Sequence, residues 1–326
     1  VLLPSGIAPL PLGIPGSRLL FDWTGFRVTH EAEGFHGFDT AETLEDFETS
    51  AQRMELGCFN FVGASASGIT YTSGPLVPLR VIESPTFRPW ALLDGDDAST
   101  LWTGVFLDAS QHPHSRGGER GWIATANNDP FGFTADGAAL GDAWYYGVYF
   151  DPGTRADRIS DEIERLVAEG PITLALMQAL QDDSRSAFAD DFVPLLLAAW
   201  DGAATDDPEL GAFRSRADLE VLVEALRAWD RRMERDQSAP VVFEGLAFFL
   251  AREVLSDDLG LVFDAIMEAS TVYMLKWTSL VVTGAFEGSE ELVPQGVALA
   301  SMRALDETAA WLTERFGGVD PAGYRW

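Results

Sequence analysis

At Asp151-Pro152-Gly153 the hydrophobic periodicity of this 326-residue chain changes, and it stays changed nearly to the end. Ahead of that bend, from about residue 19 to 150, short apolar runs alternate with turn residues, the pattern of strands and loops. Beyond it, apolar side chains recur at three- and four-residue spacing, the pattern of packed helices. Length and this shift together predict an α+β fold in two parts, a β-rich 1–150 and a predominantly helical 151–326.

In the second part Ile159, Ile163, Leu166 and Val167 form one stripe. Leu174, Met177 and Leu180 form the next, with Pro171 at a first-turn position. Phe188, Phe192, Leu195, Leu196 and Ala199 make a third, and Leu219, Leu222, Val223, Leu226, Trp229 and Met233 a fourth, where Ser215 and Asp218 have capping-box spacing. Runs over 243–254, 257–269 and 297–316 complete the set, and these aromatic and Met stripes read as core. The first part predicts one helix at 43–54, carried by Leu44, Phe47, Ala51 and Met54. It also predicts a hairpin from 59–64 through a Gly68-bearing turn to 69–72, and a long loop region over 75–104.

Basic residues number 22 against 51 acidic, a net charge of −29, and Lys276 is the sole lysine. Such a surface repels phosphate backbones and anionic membranes, so neither nucleic acid nor membrane is an expected partner. No run of 18 apolar residues occurs to span a bilayer. Cys58 stands alone, which excludes an intrachain disulfide and a cysteine-rich metal site. The chain opens at Val1 without methionine or a secretory signal and stops at Trp326 without a polar tail, so a longer parent is expected.

No cofactor or metal is expected from the residues. Proline holds His112 and His114 in an extended His-Pro-His with no third ligand to complete a tetrahedral site. Asp94, Asp96 and Asp97 lack the remainder of a calcium loop and read as a solvated turn. Gly63-Ala64-Ser65-Ala66-Ser67 fails the nucleophile-elbow pattern at its last position. The informative segment is Gly121 to Pro130, where Ile123 and Ala124 favour a packed strand and Asn127, Asn128, Asp129 and Pro130 stop it. A rigid asparagine at such a strand end can aim its N–H groups at developing negative charge and so form part of an oxyanion hole. The competing reading is an Asx-turn in which both amides cap backbone groups.

The run Arg120-Gly121-Trp122-Ile123-Ala124-Thr125-Ala126-Asn127-Asn128-Asp129-Pro130, followed by Asp151-Pro152-Gly153-Thr154-Arg155-Ala156-Asp157-Arg158-Ile159, resembles the penicillin acylase (penicillin amidase) family of N-terminal-nucleophile hydrolases. Three further stretches agree in order: Trp23-Thr24-Gly25-Phe26, the hairpin from Asn60-Phe61-Val62 to Gly68-Ile69-Thr70-Tyr71, and Met177-Gln178-Ala179-Leu180-Gln181-Asp182-Asp183-Ser184. The resemblance runs from about Trp23 to Phe316.

What it implies is a partial αββα sandwich from the large (β) subunit of an amide hydrolase. The family's zymogen is processed autocatalytically to expose a serine whose α-amine acts as base. Asn127 matches the family's oxyanion asparagine, and Arg158 the arginine that positions it. Implied partners are an N-acylated small-molecule substrate, a small α subunit and the rest of the β subunit; implied localisation is periplasmic or extracellular. Structural calcium is a family property, but Asp142 sits in a segment of different length and does not support it. Phe61, Trp144 and Tyr145 are candidates for the acyl pocket or for core. Neither Val1, Ser5, Ser17 nor Cys58 matches the nucleophile's context, so the chain reads as the middle of a large subunit, inactive as it stands. The alternatives are a non-catalytic homologue acting as a binding or structural module, and an unrelated α+β protein.

Overall fold

The computed structural model describes residues 22–57, 59–80, 89, 91–118, 120–130, 145–147 and 150–326. Val1, Ser5, Ser17, Cys58, Asp142 and Trp144 lie outside the described residues. The chain divides into two compact units, Val1–Ala156 and Asp157–Trp326.

Within the first unit, helices α1 (Glu31–Thr40) and α2 (Leu44–Ala51) pack together ahead of a small antiparallel sheet. A capping box starts α2: the Thr43 hydroxyl accepts the Asp46 N–H, and the Asp46 carboxylate accepts the Thr43 N–H. Helix α1 adds to the single helix expected in this part, and it carries Gly34 and Gly37 within its span. Here they are the contact surface, since a Cβ on Gly37 would stand 2.3 Å from Ser50 Oγ and one on Gly34 2.8 Å from Met54 Sδ.

Strands β1 (Asn60–Ser65) and β2 (Gly68–Ser73) form the expected hairpin, in register from Asn60↔Ser73 to Ser65↔Gly68. Gly68 takes φ +147° to close the turn, a conformation that favours glycine. Strand β3 (His114–Arg116) adds to β2, giving the order β1-β2-β3. Arg116 Nη2 pairs with Glu48 Oε2 at 2.6 Å, and the buried Thr70 hydroxyl donates to Glu48, tying α2 to the sheet.

Among the described residues of this unit the sheet has three strands and ends at β3. The strand expected over 121–126 does not form. A strand is defined by a hydrogen-bonded neighbour, and the pairing found near this segment among the described residues is one parallel bridge, Asn128↔Asp151. Ile123 and Ala124 are only half-buried.

The second unit is helical: α3 (Thr154–Glu169) leads into it and is followed by α4 (Leu174–Gln181), α5 (Ala187–Gly202), α6 (Ala217–Ala228), α7 (Ala239–Leu259), α8 (Phe263–Ala269), α9 (Thr271–Val282) and α10 (Val297–Phe316). Helix α7 buries most of its apolar residues from Ala239 to Leu255, and α10 lies along it. Gly245 lets the two approach: a Cβ there would meet Thr308 Cγ2 at 2.8 Å. Phe192, Trp200, Leu222, Phe243, Leu246 and Met302 fill the core.

Some local signals are overruled. Ser215 donates to the Gly211 carbonyl and Asp218 pairs with Arg216, so the capping box at α6 is not made. Trp229 lies just past α6 and donates its indole N–H to the Arg232 carbonyl. Pro171 precedes the N-cap Thr173 instead of opening the helix. The run 257–269 breaks at Gly260, whose φ of +51° stops α7.

Candidate active site

The segment 121–130 ends in an abrupt change of backbone direction. Asn127 adopts φ +62°, one of two positive-φ non-glycine residues among those described. Asparagine tolerates this left-handed region better than most residues, because its short polar side chain bonds locally. The Asn127 carbonyl accepts the Asp151 N–H at 2.7 Å, which joins the loop to the Asp-Pro-Gly bend.

The two adjacent amides take different parts. Asn128 turns to the main chain: its Oδ1 accepts the N–H of Ala126, two residues before it, at 3.0 Å. Asn127 is exposed, and its Oδ1 accepts from Arg155 Nη2 at 3.0 Å. Guanidinium only donates, so this contact fixes which end of the carboxamide is oxygen and turns the –NH₂ end away from Arg155. That –NH₂ has no hydrogen-bond partner among the described residues.

Arg155 occupies the first turn of α3. Its Nη2 also donates to the Ala126 carbonyl at 2.8 Å, and Asp151 Oδ2 receives Nε at 3.1 Å and Nη2 at 3.0 Å. Asp151 is held by its own turn, its Oδ1 accepting the Gly153 N–H at 3.1 Å; its side chain is 11 % exposed. Arg158, one turn further along α3, bonds Asp183 Oδ2 through Nε at 2.7 Å and reaches Glu162 at 3.5 Å. Burial of the Asp183 carboxyl would raise its pKa, but the Arg158 and Arg232 charges outweigh this and hold it below the usual range. The arginine that bonds Asn127 is thus Arg155, which the sequence reading did not single out. The signal was available in the same motif, three residues earlier.

A cleft of about 540 Å³ adjoins the loop, lined by Asn60, Tyr71, Arg120, Trp122, Asn128 and Asp129 among others. Arg120 lies 4.6 Å over the Trp122 ring. Asp129 is buried, and Tyr71, which donates to Asn60 Oδ1 at 2.6 Å, has its phenol pushed up to about 12 by burial and the Asp129 charge. Nearby, Tyr146 OH bridges Ser73 Oγ at 2.8 Å and His112 Nδ1 at 3.1 Å, and burial lowers the His112 pKa. His114 donates Nδ1–H to the His112 carbonyl at 2.7 Å, so each ring of the His-Pro-His has its own partner.

Asp94 and Asp97 accept backbone N–H groups two residues on and serve as turn caps. Among the described residues no three His, Cys, Asp or Glu side chains are gathered as ligands, and no helix is long and apolar enough to cross a membrane. Phe61 packs in tilted ring contacts with Phe38 and Phe59, and Tyr145 lies beneath the Arg80 guanidinium.

Asn128 and Asp129 line the cleft that adjoins the loop and Asn127 does not; Asn127 is solvent-exposed beside them, with its amide oxygen held by Arg155. An amide donor oriented in this way suits acyl transfer, in which a carbonyl oxygen becomes an oxyanion. Residues 8–326 match the family model described as Penicillin amidase. The chain belongs to the penicillin amidase family, whose members are hydrolases of the acylase and amidase kind.

Proposed function

We propose that this chain supplies the oxyanion donor of an amide hydrolase acting on an N-acylated small molecule. In this reading the serine at the N-terminus of the processed large subunit attacks the amide carbonyl carbon, and its α-amine takes the hydroxyl proton. The carbonyl oxygen gains the negative charge, and Asn127 donates Nδ2–H to it. Collapse of the adduct returns the proton to the departing amine and leaves an acyl ester, which water then hydrolyses. That serine is contributed, in this reading, by a stretch of the large subunit outside residues 1–326. Strands from that stretch complete the αββα sandwich and give 122–125 the neighbours it lacks among the described residues.

The observation that carries this reading is the Asn127 side chain, with its oxygen held by Arg155 and its –NH₂ turned outward. Family membership supports the reaction class. In the full-length protein, Asn127→Ala lowers kcat by about 10²–10³-fold, the loss seen when one oxyanion donor is removed. Circular dichroism should show the fold retained. Turnover at the parental rate refutes the role. A processed N-terminus bearing neither hydroxyl nor thiol would leave the chain a non-catalytic binding module.

A further inference from the structure

We infer that Arg155, braced by Asp151, is the positioning residue that selects the donor face of the Asn127 carboxamide. This inference rests on the reading of Asn127 as the oxyanion donor. A carboxamide has two orientations related by a half-turn and nearly equal in shape. Only one of them presents –NH₂ to a substrate. Arg155 Nη2 stands 3.0 Å from Oδ1, and in the flipped orientation two donor groups would face each other across that distance.

The same nitrogen donates to the Ala126 carbonyl, so one guanidinium edge fixes both the backbone before Asn127 and the side chain of Asn127. Asp151 makes the arrangement a closed loop. Its carboxylate receives the Arg155 Nε hydrogen and a share of the two Nη2 hydrogens, which face three acceptors, and its own N–H returns to the Asn127 carbonyl at 2.7 Å. The exposed Arg155 side chain is therefore held along its Nε–Nη2 edge by three acceptor groups, which an isolated surface arginine is not. Donation from a cation into Oδ1 also polarises the amide and makes its N–H groups better donors, the cooperativity expected of linked hydrogen bonds. Arg158, the residue the family resemblance pointed to for this task, is engaged by Asp183 and Glu162.

The test is a double-mutant cycle in the full-length enzyme, with release of p-nitroaniline from a phenylacetyl or fatty-acyl anilide as readout. Arg155→Ala should lower kcat by about 10- to 100-fold and leave KM within about threefold, because the interaction matters at the oxyanion and not in ground-state binding. Arg155→Lys, which keeps one charged donor but not the fork, should recover part of that loss. In an Asn127→Ala background the Arg155→Ala change should have less than a twofold further effect, since its target is gone. Equal factors in both backgrounds would overturn the positioning role while leaving Asn127 as donor. Parental kcat in Asn127→Ala would instead overturn the underlying reading. Should Arg155→Ala fail to fold by thermal melting, Arg155→Lys carries the cycle, and its losses multiplying with those of Asn127→Ala would equally sink the proposal.

Discussion

Replacing Asn127 by glycine and by alanine separates its backbone from its side chain. Both variants remove the carboxamide and its bond to Arg155, so both should lose the same catalytic factor. They differ in how they tolerate φ +62°. A Cβ in the left-handed region costs about 1–2 kcal/mol, whereas glycine enters it freely. Glycine's larger unfolded-state freedom returns about 0.5–1 kcal/mol, leaving Asn127→Gly more stable than Asn127→Ala by about 1 kcal/mol. For a chain of this size that difference is a shift of about 1–2 °C in melting temperature. Thermal and urea melts of the two variants, each alongside an amide-hydrolysis assay, read both effects. An alanine variant as stable as the glycine one would show that residue 127 is not in the left-handed region. A glycine variant that keeps parental turnover would show that the carboxamide is dispensable.

Gly37→Ala should destabilise the protein by about 1–3 kcal/mol, because the new Cβ falls 2.3 Å from Ser50 Oγ and forces α1 away from α2; urea unfolding measures it. Phe192→Ala, at a fully buried position in the helical core, should cost about 3–5 kcal/mol in the same assay. The His30 pKa should lie above 6.5, because Glu55 accepts from its ring at 2.6 Å and attracts its charge. The stabilisation from that pair is then complete below pH 6.5 and is lost as pH rises through the folded-state value. NMR titration should find the His30 pKa lowered in Glu55→Gln; an unchanged value would dismiss the pair as its cause.

The sequence alone determined the helices whose apolar stripes match a core that forms within the same stretch of chain. Residues 297–316 became α10 at the expected boundaries, and the 59–72 hairpin closed where Gly68 allowed it. The amide pair that stops the apolar run was also legible as a local pattern, but it was the family resemblance that pointed to Asn127 within the pair. What the tertiary structure decided depended on partners far along the chain. Helix α1, which the sequence expectation did not include, packs on α2 through Gly34 and Gly37, a contact between separate elements that periodicity does not record. The segment 121–126 has apolar composition suited to a strand, yet composition cannot provide the neighbour that makes one. Between two arginines three residues apart, only side-chain geometry could choose: Arg155 faces Asn127 and Asp151, while Arg158 faces Asp183. Periodicity records which face of an element is buried, and it carries no information about which donor meets which acceptor once the chain has folded.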